Sequence, residues 1–381
     1  MKIGIISTSR ADLGIYTPLI KKLAQDSNLK LKIYLGGSHH VEDINQAISS
    51  LGDMDVVVLG QSFSEITTFT EMAHGMANTL STMTKTIGEQ TPDDAYIVLG
   101  DRFEMFACAI SVSSLKLTLI HIHGGEVTYG AIDDKFRHSI TQLADFHLVS
   151  CEKYRSRVIR MGQAPERVLN IGSLSICDLE NFPFKSKQEL TSLTGLDFDK
   201  QVALVTYHPE TINSQGVRKE IKNLLSALES SNLQLLITGV NNDPGNNTVK
   251  QELDSFISNY SNKVYYTQSL GRANYFSACK YASIMIGNSS SGIIEAASFK
   301  LPVVNIGLRQ QGREQSNNIV NTSSQVESIQ CSIDTALKID KSDIRNIYSM
   351  SGGLTKAHAF IVQQLPRLID QPRTFHEEQN D

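Results

Sequence analysis

The 381-residue chain has no tryptophan, and its five cysteines (Cys108, Cys151, Cys177, Cys279 and Cys331) are scattered without a CxxC pair. An odd, sparse set spaced in this way does not build a disulfide framework and fits reduced thiols in the cytoplasm. No apolar run approaches the length of a membrane span. The opening "MKIGIISTSRADLG" is too brief for the core of a signal peptide, so a cytoplasmic protein without membrane contact is expected. There is no GxGxxG after the first apolar run and no GxxxxGK[ST] anywhere, which leaves a nicotinamide site or a P-loop without support. A strong charge imbalance is also missing. Lys plus Arg at 35 against Asp plus Glu at 40 gives a formal net charge of −5, which argues against nucleic acid or an anionic membrane surface as partner. That balance leaves room for a local basic pocket that holds phosphate. No fixed-period repeat is apparent, and only the closing "HEEQND" reads as a frayed tail.

What the chain does have is a long alternation of short apolar runs with helical patterns. "KIGII", "LKIYL", "DVVVLG", "AYIVLG", "LTLIHI", "FHLVS" and "RVLNIG" read as strands, with helices such as Ile15 to Gln25, Phe103 to Leu115 and Phe136 to Ala144 between them. Strands alternating with helices indicate a parallel sheet covered on both faces. The polar, turn-rich stretch Phe182 to Lys200 interrupts the order. A second series, "VALVTYH", "LQLLITG", "KVYYTQ", "SIMIGN" and "LPVVNIG", then begins. The length also exceeds one ordinary core. The expectation is an α/β protein of two doubly wound Rossmann-like domains facing a cleft. Residues 1–175 form the first domain, residues 176–352 the second, and 353–381 a final helix (roughly Leu354 to Leu368) and tail that pack back on the first.

In open α/β sheets ligands bind outside the carboxyl ends of the strands, and the unusual polar clusters fall in those loops. "GNSSSGIIEAASF" places Ser289, Ser290 and glycines between a strand and a helix, where backbone N–H groups and the helix terminus suit an anion. Glu295, about one turn on, is placed to meet ribose hydroxyls, although an ordinary N-cap by Ser289 or Ser290 explains the serines equally. Asp101 and Arg102 directly follow a buried-type strand; they either satisfy each other or serve a ligand. Arg10, Arg102 and Arg309 all lie in strand-end loops, where guanidinium groups suit phosphate oxygens. His208, before Pro209, is a structural histidine, a phosphate donor or a proton carrier. Asn241 and Asp243 are ordinary turn residues.

The stretch "HIHGGEVTYGAIDD", His121 to Asp134, holds two histidines and three acidic residues. His121 and His123 with Glu126 or Asp133 offer metal ligands, but the spacing matches no strong zinc pattern, so no metal is expected. An acid/base cluster of Asp101, His123, Glu126 and Asp133 fits better, because crowded carboxylates have their proton affinities pushed apart.

Taken together, "STSRADLG", "LGDRFEMFA", "HIHGGEVTYGAIDDKFRHSIT", "VIRMG", "YHPET" and "IGNSSSGIIEA…PVVNIGLRQQGR" resemble the hydrolysing UDP-N-acetylglucosamine 2-epimerases of bacterial sialic acid synthesis. The match runs in order from residue 3 to about 320. It implies a GT-B arrangement with UDP held mainly by the second domain, no cofactor and no metal, and a homodimer or homotetramer. It implies removal of the C2 proton as UDP leaves C1, then hydration of the resulting 2-acetamidoglucal to N-acetylmannosamine. By the same resemblance Arg10 and His208 contact the diphosphate, and Arg102 is the arginine of the "GDR" motif. Asn241 sits near the nucleotide, Ser289 and Ser290 bind phosphate, Glu295 binds ribose and Arg309 belongs to "G-x-RQ". Asp101 and Asp133 match carboxylates of catalysis. Many relatives carry a glutamate where this chain has His123, so either His123 or Glu126 fills that role.

Three rivals stand beside this reading. The same chemistry on UDP-2,4-diacetamido-2,4,6-trideoxyglucose keeps the mechanism and changes the sugar. A GT-B glycosyltransferase shares the nucleotide loops but needs an acceptor. A non-catalytic nucleotide-sugar binding module leaves the carboxylate cluster without a purpose.

Overall fold

Runs of Ile, Val and Leu that are buried on both faces become parallel strands. The computed structural model describes all residues except 40–43, 46–47, 50, 53, 62–67, 130, 210–215, 240–245, 261–262 and 378–381. The chain divides into two units, one of Met1–Val127, Ala131–Asp178 and Tyr348–Asp381, the other of Thr128–Gly130 and Leu179–Ile347. Among the described residues no helix is long and apolar enough to cross a membrane.

The first unit holds β1 (Lys2–Ser7), β2 (Lys30–Gly37), β3 (Asp55–Gln61), β4 (Ala95–Leu99), β5 (Thr118–Ile122), β6 (Phe146–Val149) and β7 (Val168–Asn170). They form one sheet in the order β3-β2-β1-β4-β5-β6-β7, every pair parallel. One face packs Ile3, Ile5 and Leu35 with Tyr16 and Leu19 of the helix Arg10–Ala24. The other packs Tyr96 and Val98 with Met83 and Met105.

The second unit repeats the plan with β8 (Val202–Thr206), β9 (Gln234–Thr238), β10 (Val264–Thr267), β11 (Ile284–Gly287), β12 (Val303–Ile306) and β13 (Ile319–Thr322), ordered β10-β9-β8-β11-β12-β13. The fold is therefore α/β with two doubly wound, all-parallel sheets. In each sheet the strand order reverses between the first and fourth strands, β1/β4 and β8/β11, and a doubly wound sheet opens its ligand crevice there.

Several local expectations are corrected. The helix expected from Ile15 begins at Arg10, because Ser9 caps it and Asp12 accepts from the Thr8 N–H and hydroxyl. β13 has no counterpart in the sequence reading. It is an edge strand with three half-buried residues and one exposed one, Asn321, and none fully buried, so its apolar signal is weak. The stretch Phe182 to Lys200 is not a plain linker. Ser186 and Glu189 form a capping box for the helix Lys187–Thr194, and Phe182 and Phe184 pack against Phe276 and Phe299. The final helix runs unbroken over the expected span but is not a plain α-helix: Gly353–Ala359 passes through a π-helical turn, Phe360–Gln364, into Leu365–Leu368. Pro366 lacks an N–H and crowds the carbonyl four residues earlier, which opens the ladder. Phe360, Ile361 and Leu365 join the core of the first sheet. The tail is tied at its start, since the His376 N–H donates to the Gly162 carbonyl at 2.9 Å.

Candidate functional site

At the carboxyl ends of β4 and β5, one buried cation organises the acidic residues. Arg137, in the helix Asp133–Leu143, has a side chain only 2% exposed. Its two guanidinium nitrogens diverge: one donates to Asp101, the other to Asp134 at 2.7 Å. Burial works against a charged Arg137, but Asp101, Glu126 and Asp134 outweigh it and raise its pKa. Asp101 keeps 27% of its side chain exposed, so it is pinned from behind and open in front. Asp133 opens the same helix. Burial, and next the charge of Asp101, push its carboxyl up to about 6, against the pull of Arg137 and Arg102.

The loop "HIHGGE" supplies the second element. His123 lies past the end of β5 with φ of 65°, a left-handed conformation that costs a residue bearing a Cβ. Its Nδ1 stands 3.6 Å from Glu126 Oε1, and Glu126 accepts from the Ser150 hydroxyl at 3.0 Å. Glycine is required beside it. Gly125 has φ of 77°, and a Cβ there would stand 2.8 Å from the Tyr154 carbonyl. His121 is a different kind of residue. It is fully buried, its Nε2 lies 2.8 Å from the Gly100 carbonyl, and burial lowers its pKa to about 4. A neutral imidazole facing a carbonyl must donate, so Nε2 carries the proton and His121 props the turn before Asp101. Its other ring nitrogen, Nδ1, lies 3.2 Å from the Thr141 hydroxyl, so both sides of the imidazole are engaged within the first unit. Among the described residues no group of three His, Cys, Asp or Glu is arranged to hold a metal.

Asp101 and Arg102 do not satisfy each other. Arg102 turns its guanidinium to the buried Glu104, at 2.7 and 3.2 Å, and to the Ser38 hydroxyl at 3.2 Å. Arg10 is exposed in the first turn of its helix.

In the second unit the site is built on Asn288. Its side chain clasps the backbone of His208, accepting from the N–H at 2.7 Å and donating to the carbonyl at 2.8 Å. The Asn288 carbonyl in turn accepts from Arg309 at 3.2 Å and Gln310 at 2.8 Å. Three strand-end loops are thus tied at one residue. Just before it, Gly287 has φ of 139°, and a Cβ would fall 1.9 Å from the Thr206 carbonyl, so only glycine lets β11 approach β8 here. His208 is buried, and burial followed by the charge of Arg309 lowers its pKa to about 4, leaving a neutral donor at ordinary pH.

Ser289 does cap the helix Ser290–Ile294, accepting from the Ser291 N–H at 3.3 Å. With five residues that helix has a small dipole. Glu295 does not lie inside it but at its C-terminal end, where it accepts from Ser291 at 2.5 Å, and Ser291 from Tyr275 at 2.9 Å. Asn241 lies outside the described residues.

Of the expected residues, the first unit gathers Asp101, His123, Glu126 and Asp133, while the second gathers His208, Ser289, Ser290, Glu295 and Arg309 around the ends of β8, β11 and β12. The sequence reading missed Arg137 and Asn288. Arg137 follows Asp133 and Asp134 by one helical turn in "DDKFR", a spacing that pairs charges on one face. Asn288 is the one amide between a strand and the serines, and nothing in its spacing marks it as a clasp.

Comparison with known proteins follows the same lines. A family model described as UDP-N-acetylglucosamine 2-epimerase matches residues 21–362. The chain is 34% identical over 327 residues to a GDP/UDP-N,N'-diacetylbacillosamine 2-epimerase (hydrolyzing) of Campylobacter jejuni, covering 84% of each chain. It is 33% identical over 364 residues to polysialic acid biosynthesis protein P7 of Escherichia coli, covering 94% of this chain and 92% of that one. In fold it is similar to the UDP-GlcNAc 2-epimerase from Neisseria meningitidis solved with UDP-GlcNAc. The TM-score is 0.77 at 17% identity, covering 96% of this chain and all of that one.

Proposed function

Since the chain belongs to the UDP-N-acetylglucosamine 2-epimerase family, we propose that it is a hydrolysing epimerase converting UDP-N-acetylglucosamine and water to N-acetylmannosamine and UDP. Asp101 takes the proton from C2 as the C1–O bond breaks, and the bonding pair of that C–O bond leaves with the β-phosphate of UDP. The product is 2-acetamidoglucal. Water then adds across its double bond, oxygen to C1 and a proton to C2 on the opposite face, which inverts C2. His123, oriented by Glu126, and Asp133, which exchanges its proton near pH 6, serve this second half. His208, Arg309, Ser289 and Ser290 hold the diphosphate, with Arg10 and Arg102 as further cations for it; Glu295 meets the ribose, and the family resemblance assigns Asn241 to the nucleotide.

The observation that carries the reading is the Asp101–Arg137–Asp133 group with its neighbour pair His123–Glu126. A binding module has no use for a carboxylate pinned by a buried guanidinium beside a second carboxyl that burial raises to about 6. The hydrolysing relative at 34% identity supports water as the second substrate.

That relative also favours a second reading in which the sugar is a UDP-linked N,N'-diacetylbacillosamine. Both sugars are tested at once by proton NMR of the products in heavy water. Free 2-epimerised sugar with deuterium at C2, alongside UDP, supports the proposal, and the ratio of kcat/KM identifies the substrate. A UDP-sugar product would indicate a non-hydrolysing epimerase. UDP release only when an acceptor is added would indicate a glycosyltransferase, and no turnover of any nucleotide sugar would leave a binding module.

A further inference from the structure

We infer that Arg137 is a positioning residue for the proton-transfer pair, its buried guanidinium pinning Asp101 and setting the charge balance against which Asp133 exchanges its proton. The inference rests on the reading of Asp101 and Asp133 as acid/base groups, and it adds a residue to which the sequence reading gave no role. Three observations converge on it. The guanidinium is almost wholly shielded from water, a costly place for a charge unless partners compensate it. It bridges two elements, Asp101 from the loop after β4 and Asp134 from its own helix. A third carboxylate, Glu126, adds its charge to those of Asp101 and Asp134 in favouring the charged guanidinium.

The charges facing this group come from every neighbouring element. Asp101, Glu126 and Asp134 act on Arg137, and Asp101, Arg137 and Arg102 act on Asp133. His121 and His138 also feel the guanidinium. With Arg137 present, the acidic cluster holds in Asp133 a carboxyl that exchanges its proton near pH 6 although Asp101 lies beside it. Without it, each carboxylate beside the vacated position becomes harder to ionise.

The test uses the full-length protein. Arg137→Gln is expected to lower kcat at pH 7 by roughly 100-fold or more, with the affinity for UDP changed less than about threefold. The acid limb of its pH–rate profile should move up by about one to three units, so that activity partly returns at higher pH. Arg137→Lys should recover at least about a tenth of the lost rate and keep the limb near its original place. Asp134→Asn removes a like charge and frees one arm of the guanidinium, so its limb should move down. That opposite sign decides the matter if Arg137→Gln does not fold. An unmoved limb in both Arg137→Gln and Asp134→Asn overturns the inference, as does a lysine variant no better than the glutamine. Carbon-13 NMR of the labelled Asp133 carboxyl reads the same balance without any substrate. Its titration should move up in Arg137→Gln, and a fixed titration rejects the charge-setting role whether or not the sugar chemistry holds.

Discussion

Asn288 holds His208 by both sides of its backbone, accepting from its N–H at 2.7 Å and donating to its carbonyl at 2.8 Å. An amide clasp of this kind fixes where the imidazole points without touching the imidazole. Asn288→Ala leaves two buried backbone groups unmet and should lower the unfolding free energy by about 1–3 kcal/mol. It should also weaken UDP binding at least about tenfold. Urea unfolding and calorimetric titration with UDP measure the two effects. Unchanged UDP affinity would separate His208 from the nucleotide.

Asp101 is pinned by Arg137 yet partly exposed. Asp101→Asn should cut turnover by roughly 100- to 10,000-fold while UDP binds within about threefold of the parent affinity. A variant that retains most of its turnover would remove Asp101 from the proton transfer.

His123 adopts φ of 65°, where only glycine is unstrained. His123→Gly should therefore keep or slightly raise stability, by up to about 1 kcal/mol, while activity falls. His123→Ala should be the less stable of the two. If both variants are equally destabilised in thermal unfolding, no strain is stored at this turn.

His121 and His147 are fully buried, and burial lowers their pKa from the ordinary 6.5 to about 4 and about 3. The folded state therefore binds fewer protons than the unfolded chain between those values and 6.5. The stabilisation is complete above pH 6.5 and is lost as the pH falls toward 4, by about 1.4 kcal/mol per pH unit for each histidine. Urea unfolding at pH 7, 6 and 5 should show this slope, and His147→Asn should make it shallower. A flat profile from 7 to 5 would mean the imidazoles are not kept neutral by folding.

The two sheets were legible because central parallel strands are covered on both faces and read as unbroken apolar runs. The order of strand and helix followed from that signal. Edges were less legible. β13 is only partly buried, so its sequence carries little of the same pattern. Helix starts were also misread. Arg10 and Asp133 stand in polar first turns that precede the apolar periodicity; Ser9 caps the first of these helices, and the second starts without a side-chain cap. The acidic residues of the first unit were visible as a cluster, but their organiser was not. In a sequence, a buried arginine looks like any surface arginine, and only the tertiary fold shows that Arg137 faces inward. Asn288 was hidden for a similar reason, since a clasp depends on which backbone lies opposite.

The first unit is completed by Tyr348–Asp381, after the chain has already run through Leu179–Ile347. A ribosome making this protein therefore finishes the second unit's long segment before it delivers Phe360, Ile361 and Leu365 to the first sheet. Until then that sheet must wait with part of its apolar surface uncovered. A premature stop near residue 350 would spare the later-made sheet and leave the earlier-made one without its last piece.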